Sequence, residues 1–263
     1  MRELSSPEFR RRGCASLNCA PSYSLSRSDA ENLPNVRLRL LRSFLPDHPV
    51  ATPIWRGPFR GARIVMERRS SLRKVFGLYE HELNPWLEQA LRRVRRVIDV
   101  GANDGYFAFG AAAAFRRLAK PGEIFAFEPQ ARHVHELRES IGAQRTSDIR
   151  LEIIHALVGS EVTQGMTTLD ALSTGDRQDT LVKIDVEGAE LDVIAGASSW
   201  MDRSNLFVIE VHQKHFIADL QSSFAARGHR LVRVDQRPLP LLGREMRDVH
   251  NWWLVSDDVT GGM

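Results

Sequence analysis

The sequence predicts an α/β protein whose central sheet is mostly parallel and covered by helices on both faces. From residue 97 onward, strand-like and helix-like segments alternate along the chain. Strand segments such as LFVIEV are apolar at nearly every position, which is typical of strands buried on both faces. The last two strand segments, RLVRV and NWWLV, have no helical segment between them, so we expect the final strand to run antiparallel.

Composition places the chain among ordinary globular proteins. Its 263 residues are enough for one large domain, and 43% hydrophobic with 26% charged residues is a typical balance. A net charge of +3 is too small to indicate a nucleic-acid partner, and the N-terminal stretch has no apolar run that predicts a signal peptide or membrane anchor. The two cysteines, Cys14 and Cys19, form neither a disulfide framework nor a zinc site, which favours a reducing, cytoplasmic location.

Three parts are predicted along the chain. Residues 1–50 are rich in Ser, Arg, Asn and Pro and read as a loosely ordered tail or an over-extended start. Residues 51–96 form an extension that packs on the core, with a hairpin or meander at 55–67 followed by an amphipathic helix. Residues 97–258 form the main domain. The apolar stripe of the amphipathic helix is Leu83, Trp86, Leu87, Ala90 and Leu91.

The basic cluster after this helix has a plain interpretation. Arg92, Arg93, Arg95 and Arg96 fit a solvated helix end, with cations near the C-terminal dipole, better than a nucleic-acid patch.

Within the main domain the pattern predicts both the strands and the helices between them. The strands are VIDV, IFAFE, RLEIIHALVG, LVKIDV and LFVIEV, before the final two. The helices are 105–119, a segment that opens at Pro129, a short helix from Ala189 to Gly196, and 215–227.

The turn after the first of these strands is the first candidate binding feature. VIDVGANDGYFAF has glycines at 101 and 105, with Ala102 and Asn103 where a dinucleotide-binding loop would have its middle glycine. Such glycines allow unusual backbone angles and close approach to a ligand. Asp99 and Asp104 suit a cationic ligand better than a diphosphate, and the sulfonium amino acid S-adenosylmethionine fits this mixture. Alone, the loop is equally compatible with a plain tight turn.

Acidic residues at later strand ends strengthen this interpretation. Glu128 follows IFAF at a strand tip, where a carboxylate can accept hydrogen bonds from both ribose hydroxyls; a helix-capping role before Pro129 is the alternative. The segment VKIDVEGAE has three acids in six residues, and FVIEVHQKH adds Glu210 and His212. We expect these groups to converge because the strand ends meet at one edge of the sheet.

The motifs together resemble one known family. VIDVGANDGYF, FAFEP, TTLDAL, LVKIDVEGAELDVIAGA and VIEVH follow one another as in the FkbM family of S-adenosylmethionine-dependent methyltransferases. The resemblance extends over about residues 75–256, and GPFRGARI and GLYEHEL resemble the N-terminal extension of part of that family. It implies a class I methyltransferase fold with seven strands in the order 3-2-1-4-5-7-6. It also implies methyl transfer to hydroxyl oxygens of sugars, polyketides or other secondary metabolites.

The resemblance also implies roles for particular residues. Asp99, Gly101, Asn103 and Gly105 would line the methionine part of the cofactor, and Glu128 would hold the ribose. Ala156 and Leu157 would lie near the adenine, and Asp185 and Glu187 would lie by the sulfonium and the acceptor.

Methyl transfer to a hydroxyl calls for a base. Asp185 is the first candidate by position and His212 the second by its usual pKa, with a structural histidine as the alternative. No metal is predicted, although Asp185, Glu187, Glu210 and His212 are also ligand types for Mg²⁺.

The expected partner is a small-molecule hydroxyl acceptor rather than nucleic acid or a membrane. The candidate pocket walls are residues 50–96 and the loop QRPLPLLGREMRD. Tyr79 and Glu80 are candidates for covering the site, and the alternative for Tyr79 is a packing role. Three other functions stay open. They are an RNA methyltransferase, a nicotinamide-dependent oxidoreductase and a non-catalytic binding protein on the same fold.

Overall fold

The structure is a computed structural model, which describes residues 48–66, 72–144, 149–240, 243 and 252–259. The predicted N-terminal tail lies outside these residues except for its last three positions, and so does most of the proline-rich loop at 236–248.

Short strands and helices account for most of the described chain. The strands are β1 (Val50–Pro53), β2 (Arg63–Met66), β3 (Arg96–Val100), β4 (Gly122–Phe127), β5 (Ile149–Ile154), β6 (Leu157–Val158), β7 (Met166–Thr167), β8 (Thr180–Ile184), β9 (Leu206–Val211), β10 (Leu231–Val234) and β11 (Trp252–Ser256). The helices are α1 (Leu72–Val75), α2 (Asn84–Arg93), α3 (Tyr106–Arg117), α4 (Ala131–Ile141), α5 (Glu190–Ala195) and α6 (Phe216–Ala225). Short 3₁₀ turns occur at His81–Leu83, Leu169–Ala171, Ser198–Trp200 and Asp257–Val259.

The main sheet has seven strands in the order β5-β4-β3-β8-β9-β11-β10. The five strands from β5 to β9 are parallel, and β11 runs antiparallel to both of its neighbours. Numbered by their order along the chain, these strands give 3-2-1-4-5-7-6, which confirms the predicted fold. Among the described residues, no helix has the length and apolar character needed to cross a membrane.

Helices cover both faces of the sheet and bury two apolar clusters. One cluster lies under α2, α3 and the extension, and the other lies under α5 and α6. The predicted stripe is buried at all five positions, of which four lie on α2 and Leu83 lies on the 3₁₀ turn before it. In the first cluster Phe59 of the extension contacts Tyr106 and Phe107 of α3, with its ring edge-to-face at 5.2 and 5.3 Å.

The hairpin of the extension differs in position from the prediction. Its first strand is Val50–Pro53 and pairs antiparallel with Arg63–Met66, so most of the predicted segment 55–67 is the connection between the strands. The Gly-Pro and Gly turns that marked this segment belong to that connection, and the strand before it is only four residues long, too short to give a clear alternating pattern.

Two further elements of the main domain need correction. The predicted strand RLEIIHALVG is two elements, because β5 ends at Ile154 and β6 pairs with β7 in a separate two-stranded sheet. Helix α4 begins at Ala131, after Pro129.

The arginine cluster is not a solvated helix end throughout. Arg96 lies in β3 with only 2% of its surface exposed, and its guanidinium makes two hydrogen bonds to Glu123, of 2.7 and 3.0 Å. Arg95 pairs with Asp176. At least two of the four cations therefore have carboxylate partners within the chain.

Candidate active site

A cleft of about 700 Å³ opens at the carboxyl ends of β3, β4 and β8, the edge at which open α/β sheets bind ligands. Most residues that the sequence analysis assigned to a cofactor or acceptor site line it. These residues are Gly101, Asn103, Glu128, Ala156, Leu157, Asp185 and Glu187. The cleft lining does not include Asp99 or Gly105. Seven of the ten candidate site residues therefore surround one space, and Asp99, Gly105 and His212 are not part of its lining.

The turn 101–105 needs its glycines for reasons internal to the protein. Gly101 has φ +79°, and a Cβ there would lie 2.0 Å from the carbonyl oxygen of Asp185. Gly105 has φ +81° and caps α3, where a Cβ would lie 2.4 Å from the ring of Phe109. Larger residues would be strained at both positions. The glycines thus bring the loop against β8 and α3, and it is the backbone between them that faces the cleft.

Glu128 fixes the shape of the loop as well as facing the cleft. The residue is 3% exposed. Its Oε2 accepts a hydrogen bond of 2.9 Å from the backbone N–H of Asn103, and Oε1 accepts one of 2.9 Å from the N–H of Gln130. Nδ1 of His133 lies 3.7 Å from Oε1. Because an ionised carboxylate offers about four acceptor positions, two hydroxyl groups can still bond to it. The capping and ribose-binding interpretations are therefore compatible.

A buried lysine that the sequence analysis did not select lies beneath the site. The ammonium of Lys183 lies 3.2 Å from Oδ1 of Asp99 and 3.3 Å from Oδ2 of Asp185, and it donates a 2.7 Å hydrogen bond to the carbonyl of Gly101. Its side chain is 8% exposed and that of Asp99 is fully buried. The signal was present in LVKIDV, because a lysine inside an apolar strand requires a buried anionic partner.

This charge group has a definite protonation pattern. Complete burial raises the pKa of Asp99 to about 6, although Lys183 opposes the shift. Burial alone would lower the pKa of Lys183, but the carboxylates of Asp99, Asp185 and Glu80 outweigh it and raise that pKa above its usual value. Lys183 therefore stays charged near neutral pH and ties the first loop to the end of β8.

Glu190, Asp185 and His212 form a second connected group. Nδ1 of His212 lies 2.7 Å from Oε1 of Glu190, and Nε2 lies 3.8 Å from Oδ1 of Asp185. Glu190 is fully buried and also accepts the backbone N–H groups of Gly188 and His212, at 3.1 and 3.2 Å. We assign the neutral ring proton to Nδ1, which faces this carboxylate. Nε2 is then left as an acceptor on the side of Asp185.

The surroundings shift the pKa values of both His212 and Asp185. Burial would lower the pKa of His212, but the hydrogen bond to Glu190 and the nearby charges of Glu210 and Asp185 raise it overall. Burial would raise the pKa of Asp185, but Lys183 and His212 lower it overall. The lowered pKa makes the Asp185 carboxylate a weaker base than usual, whereas the raised pKa makes the His212 ring a stronger one.

Three groups here also have the composition of a cation site. Ligand atoms of Asp185, Glu210 and His212 lie within 4.8 Å of one another, whereas Glu187 is exposed on the turn before α5 and is not part of this set. Asp185 already pairs with Lys183, and His212 with Glu190. The prediction that the site needs no metal remains a prediction.

The raised pKa of His212 can be measured without any substrate. We expect its ring protons to titrate above the usual value of about 6.5, and Glu190→Gln to bring the pKa down, because the variant replaces a buried carboxylate with a neutral amide. NMR of the histidine ring signals measures this, and the signal of exposed His135 should superimpose in both proteins. Because the pKa of His212 is raised in the native protein, its protonated ring stabilises the wild-type fold. This contribution is fully present below pH ~6.5 and is lost as the pH rises through the native pKa of His212. Identical His212 curves in the two proteins would contradict the assigned pairing.

The strand order and the cleft at its carboxyl edge define a class I methyltransferase fold. Residues 144–231 match the family described as "Methyltransferase FkbM domain". This match confirms, over those residues, the resemblance that the motifs predict. No curated protein matches the sequence.

Solved structures with a similar fold include three methyltransferases. The methyltransferase FkbM of Methylobacillus flagellatus KT is 16% identical, with 62% of this chain and 44% of that chain covered and a TM-score of 0.47. The METTL16 MTase domain is 15% identical, with 71% and 76% covered and a TM-score of 0.48. The precorrin-6y C5,15-methyltransferase of Geobacter metallireducens GS-15 is 15% identical, with 68% and 86% covered and a TM-score of 0.43. The present chain thus spans less than half of the Methylobacillus protein.

Proposed function

We propose that the protein uses S-adenosylmethionine to methylate a hydroxyl oxygen of a small molecule. The observation that carries the proposal is the position of Glu128. Its fixed carboxylate lies at the tip of β4, in the same cleft as the 101–105 loop, Ala156, Leu157 and Asp185. These residues are the ones that the family resemblance assigns to the cofactor.

The cleft has the chemistry needed for the nucleoside part of this cofactor. Glu128 supplies the acceptor for ribose hydroxyls. Leu157 lies in the lining with 38% of its surface exposed, so its apolar side chain is accessible for contact with a flat base. Ala102 and Asn103 stand where a dinucleotide-binding loop has its middle glycine, and the absence of glycine there disfavours a nicotinamide cofactor. When bound, S-adenosylmethionine supplies a methyl group on a sulfonium, which is a good leaving group.

The residues of the chain then have two tasks. The first is to hold the acceptor in line, which in favourable cases lowers a barrier by about 7–11 kcal/mol. The second is to remove the hydroxyl proton. We assign that step to Nε2 of His212, whose Nδ1 is held by Glu190, and we assign Asp185 to orientation of the acceptor. This reverses the order of preference given by the sequence, because Lys183 lowers the pKa of Asp185. Glu187, the remaining candidate, lines the cleft and is exposed.

The proposal is tested by the binding of S-adenosylhomocysteine, the product form of the cofactor. Glu128→Ala should weaken binding about 100-fold, since two hydrogen bonds to a charged group are lost at about 1.5 kcal/mol or more each. Isothermal titration calorimetry measures this. Glu152→Ala is the matched control, because Glu152 is an exposed acid on neighbouring β5. Equal affinities of Glu128→Ala and wild type would contradict the assigned site, provided that both proteins unfold at similar temperatures.

A further inference from the structure

A cavity of about 470 Å³ lies at the C-terminal end of α3, and it shares no lining residue with the cleft. Its walls come from the extension, from the last turn of α3 and from the residues after α4. The 101–105 loop lies at the other end of α3, a helix of 12 residues that is about 18 Å long. The cavity is therefore separate from the candidate active site, and its volume is in the range of small-molecule sites. Its lining residues are Pro53, Gly61, Arg63, Arg116, Ala143 and Gln144.

Gln144 ties two walls of this cavity together. Its Oε1 accepts a hydrogen bond of 3.5 Å from the backbone N–H of Arg63. Its Nε2 donates to the carbonyl of Arg63 and, at 3.1 Å, to that of Ser140. These bonds join β2 of the extension to the end of α4. The space between the two elements is therefore formed before any ligand binds, as is usual for small-molecule sites.

Positive charge is concentrated on the described residues in and around this cavity. Among the described residues that line it, Arg63 and Arg116 are charged and none is acidic. The neighbouring Arg60 and Arg117 share the carboxylate of Glu88, at 3.1 and 3.7 Å. Burial and the nearby charge of Arg60 lower the pKa of Arg117, although Glu88 opposes the shift. Repulsion between cations is thus present here and would be relieved by an anion.

The end of a helix explains only part of this charge. Arg116 and Arg117 lie in the last turn of α3, where cations interact favourably with the helix dipole. Arg63 lies on β2 and Arg60 on the connection before it, so the dipole does not account for them. Arg116 has contacts within the chain, but a guanidinium has five N–H donors and can bond to a ligand as well. Two arginines from different elements therefore line one concave space.

We infer that this cavity, here called the arginine pocket, binds the phosphate group of a small-molecule ligand that is separate from the cofactor. A phosphate monoester carries about −1.5 to −2 charges near neutral pH and has three acceptor oxygens. These oxygens point in several directions, so one phosphate can accept from guanidinium groups on two elements, and the arginine fork matches its geometry. A carboxylate has a single charge and two oxygens in one plane, and it satisfies this arrangement less well.

Calorimetric titration of the full chain with inorganic pyrophosphate at low ionic strength tests the inference. We expect saturable binding by wild type. Arg63→Gln and Arg116→Gln should each weaken it about 10-fold, because each removes one charged contact. Arg230→Gln is the matched control, since Arg230 is 78% exposed and pairs with Asp257 outside the pocket.

A second variant keeps both arginines and changes the charge of the wall. Ala143→Glu adds a carboxylate to the lining and should weaken pyrophosphate binding at least as much as the loss of one arginine. Ala143→Gln has nearly the same shape without the charge and is its control. Thermal unfolding of each variant distinguishes a lost affinity from a lost fold.

Three results would overturn the inference. The first is a wild-type protein that binds no pyrophosphate. The second is the same affinity in wild type, Arg63→Gln and Arg116→Gln, which would place the anion elsewhere. The third is equally tight binding of malonate, a dicarboxylate, which would contradict the choice of phosphate. The inference does not depend on the proposed function, because Arg63→Gln should bind S-adenosylhomocysteine as wild type does.

Discussion

Replacing Lys183 with methionine is expected to lower the free energy of unfolding by about 3–5 kcal/mol, as is typical when one partner of a buried ion pair is removed. The fully buried carboxylate of Asp99 has no other cation within salt-bridge distance among the described residues. Methionine keeps most of the side-chain volume of lysine. The lost stability therefore measures the removal of the charge rather than the creation of a cavity. Urea unfolding followed by circular dichroism measures it.

The double variant Lys183→Met with Asp99→Leu is the control for this prediction. It removes both buried charges and leaves Asp185, whose side chain is 28% exposed and can be solvated. We therefore expect it to recover much of the lost stability. A single variant that unfolds at the same urea concentration as wild type would show that Lys183 does not hold the loop to β8 as described.

Replacing His212 with alanine is expected to lower kcat about 10²–10⁴-fold, the usual contribution of a general base. The affinity for S-adenosylhomocysteine should be unchanged, because His212 is not part of the cleft lining. In wild type, kcat should rise with pH through the raised pKa of His212, since only the neutral ring accepts a proton. Glu190→Gln should move that rise to lower pH. Release of S-adenosylhomocysteine is measured with a panel of sugar and polyketide hydroxyl acceptors, and the best wild-type acceptor is used for the variants.

Two results would contradict this role of His212. One is undiminished kcat in His212→Ala, with the pH dependence intact. The other is wild-type turnover that EDTA abolishes and Mg²⁺ restores, which would make Asp185, Glu210 and His212 ligands of a cation rather than a base and its neighbours.

The fold can be predicted from the sequence because each sequence pattern that indicates it lies within a single strand, helix or turn. Apolar strands, the glycines at 101 and 105 and the acids at strand ends each mark a position on one element, and the parallel arrangement then brings those ends to one edge. Glu128 and Asp185 are therefore placed in one cleft by sequence reasoning alone. The boundaries of the hairpin and of β6 are less predictable, because strands of two to four residues have too short a pattern.

The missed residues depend on contacts between elements. Lys183 is a site residue only because the register of β3 and β8 places it opposite Asp99. Glu190 becomes important because α5 points its side chain at His212, 22 residues later in the chain. For Lys183 an ionisable residue inside an apolar strand was the available signal, whereas its partner could not be read from the sequence.

Titration of the wild-type protein with S-adenosylhomocysteine and, separately, with NAD⁺ tests the central claim most directly. We expect micromolar binding of S-adenosylhomocysteine and none of NAD⁺, because the cleft has a ribose acceptor in Glu128 but lacks the glycine that a pyrophosphate needs near Asn103. Tight binding of NAD⁺, with no binding of S-adenosylhomocysteine, would contradict the account.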